Sequence, residues 1–385
     1  MQFFTTVIEY YQWQGLALLL AIVILFCVQF YYYGIAYRRI CRYRLTRTLK
    51  QRRNRPPVSV VVAVYGENRD FIDERLPRLF EQDYHDYEIV VVYVGSDCEF
   101  YEDLRMMSVR FENLSTTQIK ADSRFPISIK MALNLGIKLA HNDCLLFTTP
   151  DAMPRDNEWI TYMACGFERA QVVLAYSSLT RRGRRIYDYL TRMVEFHSAE
   201  EWLSAAVAGR PYRASHVNFG FTRKVYDSAR GFDHLNMNIG HNDLFIEHVT
   251  RSRRAAVILS PHAAVDETRW GGWHWWWKRM RYYGSAYALY PRAARNFSEW
   301  ETGSRLLFFA AVATSLAVLP YELKIAAAVL LAVRYAIVWN TTRQVARRIG
   351  ERGILTMLWL YDTAGLVLHY AVRVSLLRKD PDVWR

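Results

Sequence analysis

Acidic side chains follow three apolar stretches of this 385-residue sequence. Glu67 comes just after residues 58–64, Asp97 after residues 88–94, and Asp151 after residues 144–148. Carboxylate oxygens are the ligands that hard divalent cations prefer, so Asp151 is a candidate metal ligand. Carboxylates also accept hydrogen bonds from hydroxyl groups, which makes Glu67 and Asp97 candidates for contacts with a polar ligand.

A second set of chemical groups lies further along the chain. Asp243 and His241 can each accept a proton, so both are candidates for a general base. Lys278, Arg279 and Arg281 form a basic cluster within four residues. Their positive charge is suited to hydrogen bonds with the oxygens of a phosphate group.

The three apolar runs predict the element that positions these groups. Residues 58–64, 88–94 and 144–148 are continuous and apolar, as buried parallel strands are. Residues 127–140 carry apolar side chains at helical spacing. Strands that alternate with helices predict a doubly wound, Rossmann-like α/β sheet. Ligands of such sheets bind beyond the carboxyl ends of the strands, which is where the three acids lie.

Apolar segments flank this α/β region. Residues 13–37 are almost uninterruptedly apolar, and about 20 such residues cross a bilayer. The arginine-rich run that follows places the next domain in the cytoplasm by the positive-inside rule. Residues 306–319 and 325–339 predict a helical hairpin, either crossing or re-entrant, and residues 354–377 a further segment. The charged groups of that last segment are expected to face protein or the interface.

These patterns divide the chain into three parts and predict a multi-pass membrane protein. Residues 1–56 form an anchor and a basic arm, residues 57–291 the α/β domain, and residues 292–385 membrane helices. The net charge of +13 lies beside the apolar segments, which favours a topogenic role over nucleic-acid binding. The five cysteines include no C-x-x-C spacing, so neither a disulfide framework nor a zinc site is indicated.

Six motifs, in the same order along the chain, resemble the family 2 glycosyltransferases of the membrane-bound subgroup. They are a strand ending in an acid (57–68), a K-x-x-A-L-N-x-G helix (128–137), an acidic strand end (147–154), the N-x-x-F and G-G-F-D elements (217–221 and 231–233), the E-D-x-D-L position (240–244), and the spacing of Q-x-x-R-W (278–282). The resemblance covers residues 57–291 and implies a GT-A fold.

The resemblance also implies a function. A sugar would be moved, with inversion, from a nucleotide-sugar donor to a lipid-linked or polysaccharide acceptor at the cytoplasmic membrane face. A divalent metal, Mn²⁺ or Mg²⁺, held by Asp151 would stabilise the charge on the leaving diphosphate. The implied partners are the nucleotide-sugar, a membrane lipid or lipid-linked acceptor, and a membrane protein. The implied donor-side residues are Ala63, Tyr65, Glu67, Asp97, Lys130, Asp151, Lys278, Arg279 and Arg281, and the acceptor-side residues are Asn218, Phe219 and Trp275.

Three positions depart from the family pattern. Tyr93, Thr149 and His241 stand where the family carries acids. Asp97 follows the first of these and is a candidate replacement, and an imidazole at position 241 can act as a base near neutral pH. The same departures support an alternative hypothesis, in which a catalytically impaired protein binds nucleotide or scaffolds an active membrane partner.

Simpler structural roles stay open for several of these residues. Asp151 precedes a proline-containing turn and would also serve as a turn or cap former. Lys130 would also serve as a solvated lysine on a helix surface. The tryptophans of residues 270–277 suit an interfacial helix against the bilayer better than sugar stacking, although both use an aromatic surface.

Overall fold

The computed structural model describes residues 2–45, 55–120, 127–180, 185–232, 241–251, 254–268 and 271–377, without the side chains of residues 2–12, His241 and Leu377. Residues 46–54 of the basic arm, together with Asp233 and Trp270, therefore lie outside the described residues. Within these ranges the chain forms an α/β region between flanking helices, in the order expected from the sequence.

Two sheets organise the α/β region. The larger has the strand order β3-β2-β1-β4-β8-β6-β9, and the smaller the order β5-β10-β7. In chain order the strands are β1 (Val58–Tyr65), β2 (Tyr87–Val94), β3 (Leu114–Ile119), β4 (Cys144–Thr148), β5 (Ala152–Pro154), β6 (Val172–Ala175), β7 (Ser177–Leu179), β8 (Phe219–Thr222), β9 (Ala255–Ile258) and β10 (Val265–Glu267).

The three strands predicted from apolar runs are confirmed as β1, β2 and β4. They lie side by side and parallel, with β1 in the middle. Their β-branched residues are buried on both faces because helices cover the sheet on both sides. The register pairs Tyr65 with Val94, so β1 and β2 end at the same level. The residues that follow the two strands are therefore neighbours.

The predicted helix of residues 127–140 is confirmed as α5 (Ile129–Leu139). It begins at an N-cap, where the Ser128 side chain accepts a hydrogen bond from the Met131 N–H at 3.3 Å. Its buried face contacts β1 and β2. A Cβ atom on Gly136 would lie 2.5 Å from Val61, so glycine permits the close approach of this helix to the sheet.

The remaining helices surround the sheets or form a bundle beside them. Those of the α/β region are α3 (Leu76–Phe80), α4 (Cys98–Arg110), α6 (Trp159–Phe167), α7 (Ile186–Val207), α8 (Arg223–Ser228), α9 (His241–Thr250) and α10 (Trp273–Tyr287). The bundle consists of α1 (Gln2–Phe30), which continues through a π-helical turn into α2 (Arg38–Arg42), and of α11 (Arg292–Val318), α12 (Tyr321–Ile349) and α13 (Leu358–Leu377).

A buried polar network joins the helices of the bundle. Gln29 on α1 donates hydrogen bonds to α11 and accepts two from Arg334 on α12, at 2.8 and 3.2 Å. Arg334 also pairs with Asp362 on α13 through both nitrogens of its guanidinium fork. The expectation that Asp362 faces protein is therefore confirmed, because its partner lies inside the bundle.

The predicted helical hairpin is confirmed as α11 and α12. Among the described residues, Trp13–Arg42 alone is long and apolar enough by length and composition. A signal sequence or a buried core helix has the same length and composition. The expected multi-pass arrangement is therefore not supported, because charged residues such as Arg305 and Arg334 interrupt the apolar runs of α11 and α12.

Candidate active site

The carboxyl ends of β1 and β2 bring two acidic side chains together. Gly66 adopts a left-handed conformation with φ of 64°, and its N–H donates to the Val94 carbonyl at 3.0 Å. This turn places Glu67 against Asp97, and the hydrogen bond between the two carboxyl groups raises the pKa of Glu67. The exposed carboxyl group of Glu67 and the half-buried carboxyl group of Asp97 can thus both bind hydroxyl groups at this edge.

Asp97 holds the loop after β2 in place as well as facing Glu67. Its side chain caps α4 by accepting a hydrogen bond from the Phe100 N–H at 2.6 Å, and this bond lowers the pKa of Asp97. The Tyr93 hydroxyl accepts a hydrogen bond from the Asp97 N–H at 3.2 Å. Tyr93 is buried, so the tyrosine at this family acid position supports the loop from beneath.

Asp151 lies just beyond the end of β4 and hydrogen-bonds to Asn68 and Thr268. The Asn68 amide donates to its carboxylate at 3.2 Å. Its main-chain carbonyl accepts hydrogen bonds from the N–H and the hydroxyl of Thr268, at 2.8 and 3.0 Å. The buried Arg75 donates to the same Thr268 hydroxyl at 2.8 Å. These contacts fix the main chain of Asp151 and place its carboxylate beside Asn68.

The surroundings of Asp151 fit a divalent cation. Asn68 is buried, and its side-chain oxygen has no hydrogen-bond partner. This oxygen and the Asp151 carboxylate supply the oxygen ligands that Mn²⁺ and Mg²⁺ prefer. The described residues also form two groups of three candidate ligands, neither of which includes Asp151: Asp156 with Glu158 and His262, and His197 with Glu201 and Glu301.

The small sheet connects Asp151 with a buried ion-pair cluster. In the antiparallel pairing of β5 and β10, Glu267 lies opposite Ala152, the residue after Asp151. The Glu267 carboxylate accepts two hydrogen bonds from Arg279 of α10, at 2.5 and 2.8 Å. Arg279 also lies 3.2 Å from Glu195 of α7. The Arg279 guanidinium therefore joins α7, α10 and β10, and β10 is the strand that pairs with the residues following Asp151.

The cluster continues from Glu267 to Asp243. His216 lies 3.6 Å from Glu267, and its Nδ1 is within hydrogen-bond distance of the Tyr283 hydroxyl at 3.0 Å. The guanidinium of Arg213 stacks 4.3 Å above the Tyr283 ring and lies 3.6 Å from the Asp243 carboxylate. These contacts form a continuous chain of polar groups across the interior.

Asp243 is fully buried, and both of its oxygens are engaged. One accepts hydrogen bonds from the Ala214 N–H at 3.2 Å and from the neighbouring Asn242 amide at 3.1 Å. The other accepts a hydrogen bond from the Tyr290 hydroxyl and faces Arg213. Burial raises the pKa of Asp243 despite these contacts. Such a carboxylate binds a proton more readily than an exposed one.

Acid should destabilise the protein through His216. Burial lowers the pKa of His216 from 6.5 to about 4, so the folded protein keeps this imidazole neutral at pH 7. Between those two values the unfolded chain binds more protons than the folded one, and stability falls as the pH falls. We therefore expect the melting temperature of the wild-type protein to fall between pH 6.5 and 4, and to fall less steeply in His216→Gln. Parallel melting curves of the two proteins across this range would contradict the expectation.

The known proteins that resemble this chain are found by structure rather than by sequence. No family model matches the chain, and a search of curated proteins finds no match. A solved structure, the mannosyltransferase PcManGT from Pyrobaculum calidifontis in complex with GDP-Man and Mn²⁺, aligns with a TM-score of 0.57 at 20% identity over 94% of this chain and 99% of the other. The fold is that of a glycosyltransferase. Residues 1–349 of S. aureus TarS align with a TM-score of 0.41 at 15% identity, over 77% of this chain and 92% of that one.

Within this glycosyltransferase fold, the predicted donor-side residues separate into two groups. Ala63 lies inside β1, and Tyr65, Glu67, Asp97 and Asp151 lie at or just beyond the strand ends. Burial raises the pKa of the Tyr65 hydroxyl to about 12. This first group faces the edge where ligands of open α/β sheets bind.

The predicted basic residues differ from one another in environment. Lys130 lies in the first turn of α5, and partial burial lowers its pKa. On α10, Lys278 is exposed and Arg281 is half-buried. Arg279 is committed to Glu195 and Glu267. The structure therefore gives Arg279 a framework role, which the spacing of the basic cluster does not reveal.

The predicted acceptor-side residues and the two candidate bases lie in different elements of the structure. The Asn218 amide is fully buried and hydrogen-bonds to Trp159, to the Tyr176 carbonyl and to the Ala263 carbonyl, so it holds strands and helices in place. Phe219 is buried in β8. Trp275 lies in the first turns of α10, beneath Arg279 at 5.1 Å. His241 begins α9, and its side chain lies outside the described residues.

Sequence patterns did not reveal four residues of the site. Asn68, Arg213, His216 and Glu267 each meet partners far away in the chain. The sequence feature that could have indicated Asn68 is its position two residues beyond Gly66, at the end of a predicted strand. For Glu267, the signal was an acid that closes a short apolar run before the tryptophan-rich segment. Nothing in the local sequence distinguishes Arg213 or His216.

Proposed function

We propose that this protein is an inverting family 2 glycosyltransferase with a GT-A domain, which moves a sugar from a nucleotide-sugar donor to a lipid-linked or polysaccharide acceptor at the cytoplasmic membrane face. One observation carries the proposal. In a glycosyltransferase fold, the acidic edge formed by Glu67, Asp97 and Asp151 is joined through β10 to the buried cluster around Arg279 and Asp243.

The donor is proposed to bind across the carboxyl ends of β1, β2 and β4. Glu67 and Asp97 present carboxylates suited to the hydroxyl groups of a ribose. Asp151 and Asn68 would hold a Mn²⁺ or Mg²⁺ ion, which stabilises the negative charge that develops on the leaving diphosphate. The GDP-Man and Mn²⁺ bound to the Pyrobaculum calidifontis mannosyltransferase support this choice of donor class and metal. Lys278 and Arg281 are proposed to add positive charge.

For an acceptor hydroxyl, a base must take the proton as the hydroxyl attacks the anomeric carbon. Asp243 is the proposed base, because burial raises its pKa and so favours a transferred proton. A single displacement from the face opposite the leaving group inverts the anomeric configuration. His241 remains the second candidate for this role.

The membrane location is proposed from the N-terminal helix and its flank. Trp13–Arg42 is long and apolar enough to span a bilayer. Arg38, Arg39 and Arg42 follow the apolar part, which favours a cytoplasmic position for the α/β domain. Helices α11 to α13 would then pack against this anchor, through Gln29 and the Arg334–Asp362 pair, rather than each crossing on its own.

A second candidate function is a nucleotide-binding or scaffolding protein without transferase activity. The observation that favours it is the environment of Asp243, whose carboxylate oxygens are both occupied by protein donors. Thr149, which replaces a family acid beside Asp151, also removes a carboxylate from the metal site. Such a protein would support an active membrane partner.

Binding of a donor panel tests the first part of the proposal. The detergent-purified protein is titrated with UDP- and GDP-sugars, with and without Mn²⁺, and binding is followed by calorimetry. We expect one nucleotide class to bind more tightly when the metal is present, because the metal bridges the diphosphate and Asp151. Absence of binding by every nucleotide-sugar, under conditions in which the protein is folded, would contradict a role in sugar transfer.

A further inference from the structure

Three side chains of the kinds that bind metal ions meet where the α/β domain packs against the helical bundle. His197 and Glu201 lie one turn apart on α7, and Glu301 lies on α11. One ligand atom from each of them lies within 4.8 Å of the other two. His197 and Glu301 are buried. None of the three belongs to the candidate donor site around Asp151.

A fourth residue orients the imidazole of His197. Its Nδ1 is within hydrogen-bond distance of Glu200 Oε2, at 3.4 Å. An ionised carboxylate only accepts hydrogen bonds, so this contact requires Nδ1 to carry the proton. In the neutral imidazole the lone pair therefore lies on Nε2. Histidines that bind metal ions have the same arrangement, in which a carboxylate holds the ring through its other nitrogen.

The free nitrogen of His197 faces a carboxylate across a gap. Nε2 is buried without a hydrogen-bond partner, and it lies 3.8 Å from Glu301 Oε2, which is too long for a hydrogen bond. A nitrogen lone pair and a carboxylate oxygen repel each other unless a positive species lies between them. Two ligands of a tetrahedral Zn²⁺ ion, each about 2.0–2.2 Å from it, are roughly 3.5 Å apart. The gap is thus close to the separation that a shared cation imposes.

The charges connected to this gap favour a divalent cation over a proton. The cluster holds four carboxyl groups and two guanidinium groups, those of Glu200, Glu201, Glu301, Asp362, Arg305 and Arg334. A protonated imidazole leaves this set one charge short of neutrality, whereas a divalent cation beside a neutral imidazole balances it.

Two of these carboxyl groups lack a sufficient counter-charge. Burial raises the pKa of both Glu200 and Glu201, as it does for carboxyl groups without a cation beside them. Oε1 of Glu200 is buried and has no hydrogen-bond partner. A cation bound by His197 and Glu201 would supply the missing positive charge.

A cavity of about 480 Å³ gives access to the cluster. His197 and Glu201 line it, together with the hydroxyl-bearing residues Ser298 and Thr302 of α11. An ion can therefore enter from the cavity, and water there can occupy the coordination positions that the protein leaves open. Ser298 also hydrogen-bonds to Glu201, so the less buried of the two carboxylate ligands is held in place as well.

We propose that His197, Glu201 and Glu301 bind a divalent transition-metal ion of the Zn²⁺ class, which holds α7 of the α/β domain against α11 of the bundle. Nε2 of His197 and one oxygen of each carboxylate are the ligands, and Glu200 is a positioning residue. An imidazole among carboxylates suits Zn²⁺, whereas Mg²⁺ prefers oxygen ligands alone. The inference goes beyond the proposed function and does not rest on it.

Calorimetric titration of the detergent-purified full chain with ZnCl₂ tests the proposal. A large excess of Mg²⁺ is present throughout, to occupy oxygen-only sites such as the one proposed at Asp151. We expect one Zn²⁺ ion to bind per chain. Replacement His197→Gln or Glu301→Gln should weaken this binding at least about tenfold, since even the loss of a residue that only orients a ligand has an effect of that size. Glu201→Gln, at a half-buried position, keeps the proposal testable if either buried substitution prevents folding.

His262→Gln is the matched control. His262 belongs to the other group of candidate ligands, with Asp156 and Glu158, and its side chain is 47% exposed. This variant should bind Zn²⁺ as the wild-type protein does. Weaker binding in His262→Gln, with unchanged binding in His197→Gln, would place the ion in that surface group and overturn the proposal. Absence of Zn²⁺ binding by the folded wild-type protein would also overturn it, and would leave a protonated His197 as the cation of the cluster.

Thermal unfolding tests the role of the ion in joining domain and bundle. At a Zn²⁺ concentration about a hundredfold above the Kd, the melting temperature of the wild-type protein should rise by at least about 3 °C, and that of His197→Gln should not. Zn²⁺ binding without such a rise would contradict the joining role. Asp151→Ala should keep its Zn²⁺ binding, and loss of binding in that variant would assign the ion to the donor site instead. Failure of nucleotide-sugar binding with Zn²⁺ binding intact would contradict only the proposed function.

Discussion

Replacing Asp151 by alanine is expected to lower nucleotide-sugar turnover by at least about a hundredfold, the scale seen when a group that stabilises transition-state charge is removed. The carboxylate of Asp151, beside the unpaired oxygen of Asn68, is the protein's proposed contribution to metal binding. The fold should survive, because Asp151 holds Thr268 through its main-chain carbonyl, which alanine retains. Release of nucleoside diphosphate, measured at several Mn²⁺ concentrations, reports the effect.

Asp143→Ala is the matched control for this substitution. Asp143 precedes β4 as Asp151 follows it, its side chain is 88% exposed, and its ion pair with Arg223 is 3.9 Å long. The control should keep wild-type turnover and wild-type metal dependence. Wild-type turnover in Asp151→Ala would exclude Asp151 as a metal ligand. A loss of turnover that is equal in both variants would point to a defect of the strand rather than of the site.

Replacing Arg279 by methionine is expected to lower the free energy of unfolding by about 3–5 kcal/mol, the usual cost of removing one partner from a buried ion pair. Methionine has a similar length but no charge, so Glu267 and Glu195 would be left buried without their shared counter-ion. Burial would by itself raise the pKa of Glu267, and Arg279 is the main group that brings it below its ordinary value. Denaturant unfolding of the detergent-purified protein measures the loss.

Lys278→Met provides the comparison, because it removes the same charge from the adjacent position. Lys278 is exposed, so its replacement should change stability by no more than about 0.5 kcal/mol. Equal stability of the two variants, with a selective loss of nucleotide affinity in Arg279→Met, would show that Arg279 binds the diphosphate instead of bracing the fold.

The central sheet could be predicted from the sequence because its signal is local. Residues 58–64 and 88–94 are β-branched runs that fit only a strand buried on both faces, and they became β1 and β2. The edge that carries Glu67, Asp97 and Asp151 followed from the same pattern, since parallel strands end on one side of a sheet. The role of Tyr93 did not follow, because its hydroxyl acts on the loop four residues later.

The interior of the candidate site could not be predicted because it depends on tertiary contacts. Lys278 and Arg279 are neighbouring basic residues that the sequence alone does not distinguish. The orientation of α10 determines that Arg279 is the one that contacts Glu267. Similarly, Asp243 meets Arg213 and accepts a hydrogen bond from Ala214, which lies 29 residues earlier in the chain. The predicted multi-pass arrangement is not supported for a related reason, since a run of apolar residues does not show whether Arg334 will pair with Asp362 inside a bundle.

The central claim, that this chain transfers sugar, is tested most directly by nucleoside diphosphate release from the purified protein. The preferred nucleotide-sugar is supplied to the wild-type protein and to Asp151→Ala, with and without Mn²⁺, and the products are analysed by mass spectrometry. We predict release of nucleoside diphosphate by the wild-type protein that requires the metal and is lost in Asp151→Ala. Tight nucleotide binding without release or glycosylated product would contradict a transferase and identify a nucleotide-binding scaffold.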